Sequence, residues 1–324
     1  MTAIVAVLNK HAVAIAADSA VTMGDTHKVV NSANKIFTLS KYHPVAIMTY
    51  SNAEFMGVPW DIIIKEYRRV LKDKSFNTVK EYAKDFIKFI YKRNFFCKKE
   101  TQLTYLKIEL ESFVDMCLND ISHQKGIKKT DDVAEEDLRQ FLCDCKEKLS
   151  QCKKCPDFED YKYSKFKKQY YAIIEEFSKE NNLNLSEDLC EVFFYYLSAQ
   201  FDLTNNTGLV FVGYGEKEIY PSLHQMNVAL VVSGHLRYYC GDTVEISDKK
   251  TANISPFAQT DVTETILRGI NPAFQQIIND NVGNYLASFS EQIAKILDQD
   301  NTTSEMASVI RQEFDIEEST KKTC

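Results

Sequence analysis

Glycine and proline are scarce, 10 and 6 residues in a chain of 324, and they gather into no linker or low-complexity tract. A flexible Pro/Gly-rich spacer between domains is therefore excluded. Long apolar runs are missing too: the opening MTAIVAVLNKHAVAIAAD has no basic leader, and Asn9, Lys10 and His11 interrupt its apolar residues. Such a segment reads as neither a signal peptide nor a membrane span, which makes a cytoplasmic protein with no membrane partner the expectation. Positive charge is in deficit, 39 Lys and Arg against 46 Asp and Glu for a net charge of −7, and the charges are dispersed. No basic stripe able to displace counterions from phosphates stands out, so nucleic acid is not expected as a partner. The six histidines form no H-E-x-x-H pattern, Gly213-Tyr214-Gly215 is too short to cradle a phosphate, and no Walker-type Gly-Lys-Thr occurs. Neither a metal nor another cofactor is expected, and any ATP dependence would come from a partner.

Nine cysteines are present. In a reducing compartment they read as thiols rather than as a disulfide frame. Cys143-Asp144-Cys145 and Cys152-Lys153-Lys154-Cys155 resemble zinc knuckles only weakly, because six residues separate the pairs and C-x-C makes a poor knuckle. The hydrophobic share of 44% and aromatic share of 12% are ample for a packed core.

Residues 3 to 8 and 12 to 17 are short runs of small and β-branched residues joined by Asn9-Lys10-His11, which predicts a hairpin buried on both faces. Lys35 to Leu39 and Pro44 to Tyr50 predict a second. A helix follows, with Trp60, Ile63, Ile64, Tyr67, Val70 and Leu71 on one face. From about 78 to 203 the text turns to Lys, Glu, Tyr, Phe and Leu with almost no Gly, a helical composition, and Phe166, Tyr170, Ile173, Ile174 and Phe177 form one core stripe. Strands return at Gly208 to Gly215, Val228 to Val232 and Leu236 to Ile246, and the chain beyond Gln259 reads as helix. The order sheet, helices, sheet, helices predicts an α+β core from residues 1–94 and 201–324, with a helical insertion at 95–200.

Thr2 carries the chemistry of the opening segment. If Met1 is removed, as a small second residue permits, the freed α-amine titrates near ~7.7–8.0 and can take the Thr2 hydroxyl proton at neutral pH. Asp18 follows the second strand and Lys35 opens the third, and a twisted sheet can return both to the first residue. A Lys35 ammonium there would favour the alkoxide, with Asp18 holding it charged and aimed.

At these residues the chain resembles a known family. TAIVAV, then AVAIAADSAVTMGDT, then NSANKIFTL is similar to the opening of proteasome β subunits, and especially of the bacterial proteasome-like peptidase that partners a AAA+ unfoldase. The shared run is D-S-x-V-T-x-G-x-T followed by N-x-x-N-K-I, with one extra residue between Asp18 and Lys35. The resemblance implies a four-layer αββα sandwich of the N-terminal-nucleophile hydrolase type and a threonine-type endopeptidase acting on peptides or unfolded proteins. Thr2 would be its nucleophile, with Asp18 and Lys35 as catalytic partners. Ser51-Asn52-Ala53-Glu54 resembles the family's turn into its first helix, where a backbone N–H forms the oxyanion hole; Ser51 stands where Gly is usual and Glu54 where Asp is. Gly208 to Gly215 resembles a later family strand. Ser19, and Ser255 or Thr260 just before a helix, are supporting candidates, although no equivalent of the family's late Asp-x-x-Ser is found. The resemblance also implies a homo-oligomer and a possible ATP-dependent unfoldase partner. An amidase for a small acyl compound, or a non-catalytic structural or sensor subunit on the same fold, remain the alternatives.

Overall fold

The computed structural model describes residues 3–18, 21–23, 28–30, 34–92, 98–128, 130, 133–203 and 205–298. The chain divides into two compact units, 1–258 and 259–324.

The first unit opens with β1 (Ala3–Asn9) and β2 (Val13–Ala17), an antiparallel hairpin whose turn is fixed by Asn9 Oδ1 accepting the N–H groups of His11 and Ala12. Two short strands follow, β3 (Val21–Met23) and β4 (Lys28–Val30), then the predicted second hairpin of β5 (Ile36–Thr38) and β6 (Val45–Ser51). A small ribbon, β7 (Glu54–Phe55) with β8 (Val58–Pro59), leads into α1 (Trp60–Leu71). Helices follow: α2 (Val79–Lys92), α3 (Lys99–Lys125), α4 (Glu135–Gln151), α5 (Tyr163–Glu180) and α6 (Ser186–Ser198). Sheet then resumes with β9 (Thr207–Gly213), β10 (Ser222–Val232), β11 (His235–Glu245) and β12 (Ala252–Ala258).

These strands make an α+β fold with two antiparallel main sheets, ordered β12-β1-β2 and β11-β10-β9-β6-β5. Alternation along each strand decides how they stack. Ile4, Ala6 and Leu8 of β1 turn one face onto Met48 of β6 and Val210 and Val212 of β9, forming the core between the sheets. Ile47, Leu209 and Phe211, on the opposite face of the five-stranded sheet, meet Trp60, Ile64 and Phe86 of the helices in a second, larger core. β9 is thus buried on both faces, as an unbroken apolar run requires. The helices that carry the larger core are cut to fit it. α1 buries Trp60, Ile63, Ile64, Tyr67 and Leu71, with Asp61 in its first turn and Arg68 and Arg69 in its last, as the helix dipole favours. α3 stops where Gly126 takes φ 66 and Ile127 N–H reaches back to the Ser122 carbonyl at 2.9 Å, a Schellman closure.

Three expectations are corrected. The β1–β2 hairpin is buried on one face only: Val7 is 39% exposed, and Ala14 and Ala16 are exposed. Runs of alanine and valine carry no polar alternation to mark which face is solvated. Val70 is 49% exposed, because the stripe on α1 is centred on the row through Trp60, Ile64 and Leu71. Ser255 does not precede a helix but lies inside β12, opposite Ala6. Asn253 and Pro256 disguise that strand, and Pro is tolerated there because β12 is a sheet edge.

The second unit contains α7 (Asp261–Arg268), ended by Gly269 at φ 76, and α8 (Pro272–Asp298). Thr260 belongs to this unit, and its carbonyl accepts the Glu264 N–H at 2.8 Å in the first turn of α7. Among the described residues no helix is long and apolar enough to cross a membrane.

Candidate active site

Ala3 is the first described residue of β1, and β1 is the middle strand of its sheet, so its end is framed by the ends of two neighbours. On one side Ala3 pairs with Ala258 of β12. On the other, the Asp18 N–H donates to the Ala3 carbonyl at 3.0 Å and the Ala3 N–H donates to Asp18 Oδ1 at 3.1 Å. Asp18 is therefore fastened to the start of β1 through both its backbone and its side chain.

Lys35 arrives from the other sheet. Its carbonyl accepts the Thr49 N–H at 2.9 Å, which continues the β5–β6 ladder one residue beyond Ile36. Its ammonium lies 2.7 Å from Asp18 Oδ1 and is only 7% exposed. Burial pushes the Asp18 carboxyl up, but the Lys35 hydrogen bond, the Ala3 N–H and the Lys35 charge together hold it below its ordinary value. The pair is an ionised, part-buried bridge between the two sheets beside the first residues of the chain.

Ser51 ends β6 on the same side of the sheet, two residues past Thr49. It adopts φ 70, a left-handed conformation that costs a serine about 1–2 kcal/mol and costs glycine almost nothing. The turn after it is tied down from distant parts of the chain. Asn52 N–H donates to the Asn206 carbonyl at 3.2 Å, Thr207 Oγ1 donates to the Asn52 carbonyl at 3.1 Å, and the Trp60 indole N–H donates to Thr207 Oγ1 at 2.9 Å. These bonds over-determine the turn, which is how a strained residue persists. Sequence reasoning missed Thr207 and took Trp60 only as a core residue. No local pattern links two side chains so far apart in the chain, though a lone indole at a helix start is a donor in need of an acceptor.

Of the remaining candidates, Thr2 and Ser19 lie outside the described residues. Ser255, opposite Ala6 on β12, is three residues along from Ala3 and so roughly 10 Å away at ~3.3 Å per residue. Its hydroxyl accepts from Asn253 Nδ2 at 2.6 Å. Cys143 is exposed and Cys145 half-buried on α4, Cys152 is exposed just after that helix, and Cys155 is buried with its thiol donating to the Ala199 carbonyl at 3.4 Å. Among the described residues no three His, Cys, Asp or Glu side chains are grouped so as to hold a metal ion.

The arrangement sets a buried ammonium against the Asp18 carboxylate at the opening of β1, and a turn of constrained backbone ends β6 in the other sheet. A hydroxyl brought against that ammonium would be easier to ionise, and N–H groups of such a turn suit a developing oxyanion. No protein-family model, curated protein or solved structure matches the chain.

Proposed function

We propose that the protein is an N-terminal-nucleophile hydrolase of the proteasome β-subunit type, a threonine peptidase cleaving peptides or unfolded proteins. Thr2 attacks the scissile carbonyl once the Met1–Thr2 bond is cut, and the freed amine takes the hydroxyl proton and returns it to the leaving amine. Lys35 stabilises the alkoxide, and a backbone N–H near Ser51 stabilises the oxyanion. The observation that carries this reading is the 2.7 Å Lys35–Asp18 pair, fixed to the Ala3 backbone next to Thr2. The positive φ of Ser51, where the resembled family uses glycine, supports it independently. The reading brings with it the four-layer αββα arrangement, of which the helices and two stacked sheets of the first unit supply three layers.

It also has the chain assemble with copies of itself. Support comes from the second unit, where Phe274, Ile277, Val282, Tyr285 and Phe289 are each more than half exposed along α8. Light scattering on the purified protein tests this, and a monomer at micromolar concentration sinks it.

The chemistry is tested by treating the protein with a peptide vinyl sulfone and reading the intact mass and the N-terminal peptide. Loss of Met1 with the adduct on Thr2 is expected. Retention of Met1, or an adduct equally abundant in Thr2→Ala, overturns the reading in favour of a non-catalytic subunit. Turnover of small acyl amides with none of peptides favours the amidase.

A further inference from the structure

A cleft of about 620 Å³ lies at the other end of α1 from Trp60, between the last two turns of that helix and the β5–β6 turn. Five cationic side chains line it: Lys65, Arg68 and Arg69 from α1, Lys72 just after it, and Lys41 from the turn. The helical three stand at i, i+3 and i+4, which puts them on one face over ~6 Å, and Lys72 follows directly after the helix ends at Leu71. Tyr42, 67% exposed, and Asp73 complete the walls.

Among the described residues, ion pairing accounts for two of these charges. Lys65 is bridged by Asp61 at 2.8 Å and Arg69 by Glu66 at 2.6 Å. Among the described residues Lys41, half-buried Arg68 and Lys72 have no carboxylate within ion-pair distance, and the cleft's own acid is Asp73 alone. In a chain of net charge −7 such a concentration of one sign is a local feature. The helix dipole favours cations in a last turn, which explains Arg68 and Arg69 but not Lys41, which comes from a separate element.

The two walls are also held in place. Ser40 Oγ accepts the N–H groups of Tyr42 and His43, fixing the turn that presents Lys41 and Tyr42. The His43 ring contacts the Asp73 carbonyl at 3.3 Å and Glu216 at 3.0 Å, tying that turn to the chain just past α1. Lys72 takes φ 50 and ψ −120, a conformation suited to glycine, so a cation is kept where it costs backbone strain.

We propose that this cleft is a binding site for an oligophosphate anion, free or as the phosphate chain of a nucleotide. Charge density selects that class. An extended acidic peptide turns a carboxylate toward one face only every ~7 Å, whereas three linked phosphates bring about four charges over a length close to the ~6 Å of helix from Lys65 to Arg69. Arg68 and Arg69 supply the forked donors that phosphate oxygens accept. The volume falls within the range of small-ligand sites.

Calorimetric titration of the full chain with sodium tripolyphosphate, at low and moderate salt, tests the assignment. Saturable binding weakened by salt is expected, with Arg68→Glu and Lys41→Glu each losing about tenfold or more in affinity. Lys179→Glu, on α5, should leave binding unchanged. Lys72→Gly should bind more weakly while melting at a higher temperature, so lost binding cannot be put down to misfolding. ATP binding more tightly than tripolyphosphate would identify a nucleotide as the source, through Tyr42, and equal affinity a free oligophosphate. Absence of saturable binding, an equal loss in Lys179→Glu, or tighter binding of hexaglutamate than of tripolyphosphate overturns it.

Discussion

Asp18 Oδ1 accepts from two donors at once, the Lys35 ammonium at 2.7 Å and the Ala3 N–H at 3.1 Å, so one carboxylate oxygen joins the two sheets. Because Lys35 is 7% exposed, Asp18→Asn removes the neutralising charge from a buried ammonium. Loss of about 2–3 kcal/mol of stability is expected, below the full cost of splitting a buried pair because Asp18 is 34% exposed. The Asp18 carboxyl is held below its ordinary value, so its stabilisation is complete above the carboxylate range and disappears as pH falls through the folded value, below about 4. Lys35→Met should keep more stability than Asp18→Asn yet lower peptide turnover by about 10²-fold or more. Urea midpoints and turnover, measured on the same preparations, check both.

His224, on β10, should make stability depend on pH in a higher window. Burial, aided by the Lys80 charge, depresses it to about 4, and Thr243 Oγ1 lies 3.4 Å from its Nδ1. The unfolded imidazole binds its proton near ~6.5, so the neutral folded form contributes fully above that pH. The contribution is lost as pH falls from ~6.5 to ~4, about 3 kcal/mol in all. Melting temperatures should slope downward across this window, and His224→Gln should flatten the slope. An unchanged slope in the variant removes His224 as its origin.

Gly208 and Tyr50 are cross-strand partners, and the Tyr50 ring lies over the glycine. A Cβ at Gly208 would sit 1.9 Å from Tyr50 Cζ. The ring would have to leave its stack on Phe257 and its hydrogen bond from Gln225. Gly208→Ala should therefore cost ~1–3 kcal/mol. With Tyr50→Val already present the same change should cost much less, a coupling read from the double-mutant cycle.

Arg237 is a fully buried guanidinium on β11 whose Nε and Nη2 donate to the carbonyls of Leu197, Ala199 and Phe201 at 2.8–3.1 Å. It satisfies the acceptors left free where α6 ends. Arg237→Met should cost about 3 kcal/mol or more, since it takes the guanidinium donors from the Leu197 and Phe201 carbonyls, leaves that of Ala199 to the Cys155 thiol alone, and removes a cation near buried Glu109. Loss of cooperativity in the unfolding curve is the accompanying sign, because α6 is then untied from the sheet.

Periodicity made the helices legible, since Trp60 to Leu71 and Phe166 to Phe177 each mark a single buried face, and short apolar runs gave the β1–β2 and β5–β6 hairpins but not the β3–β4 pair between them. β12 escaped because Asn253 and Pro256 imitate a loop, and β10 was read too short because His224, Gln225 and Asn227 interrupt its apolar text within a largely buried strand. Asp18 and Lys35 were legible as a pair through their positions at strand ends and through the Asp-Ser-x-Val-Thr and Asn-Lys-Ile runs that carry the resemblance. The support behind Ser51, from Thr207 and Trp60, depends on pairing between residues far apart and leaves no local trace. The cationic cleft was hidden for a related reason: Lys65 to Lys72 reads as an ordinary solvated helix face until Lys41 is brought opposite.

The pairing of β1 with β12 sets a clock on the candidate site. Ala3 meets Ala258 about 250 residues later in the chain. At ~5–20 residues per second of synthesis, β1 waits roughly 10–50 s before its second neighbour exists. Through that interval its Ala and Val edge must be kept from other strands by β2 alone or by a chaperone. A nascent chain therefore cannot finish the sheet that holds Asp18 at the start of β1 before β12 has been made, and the peptidase proposed above would stay silent until then.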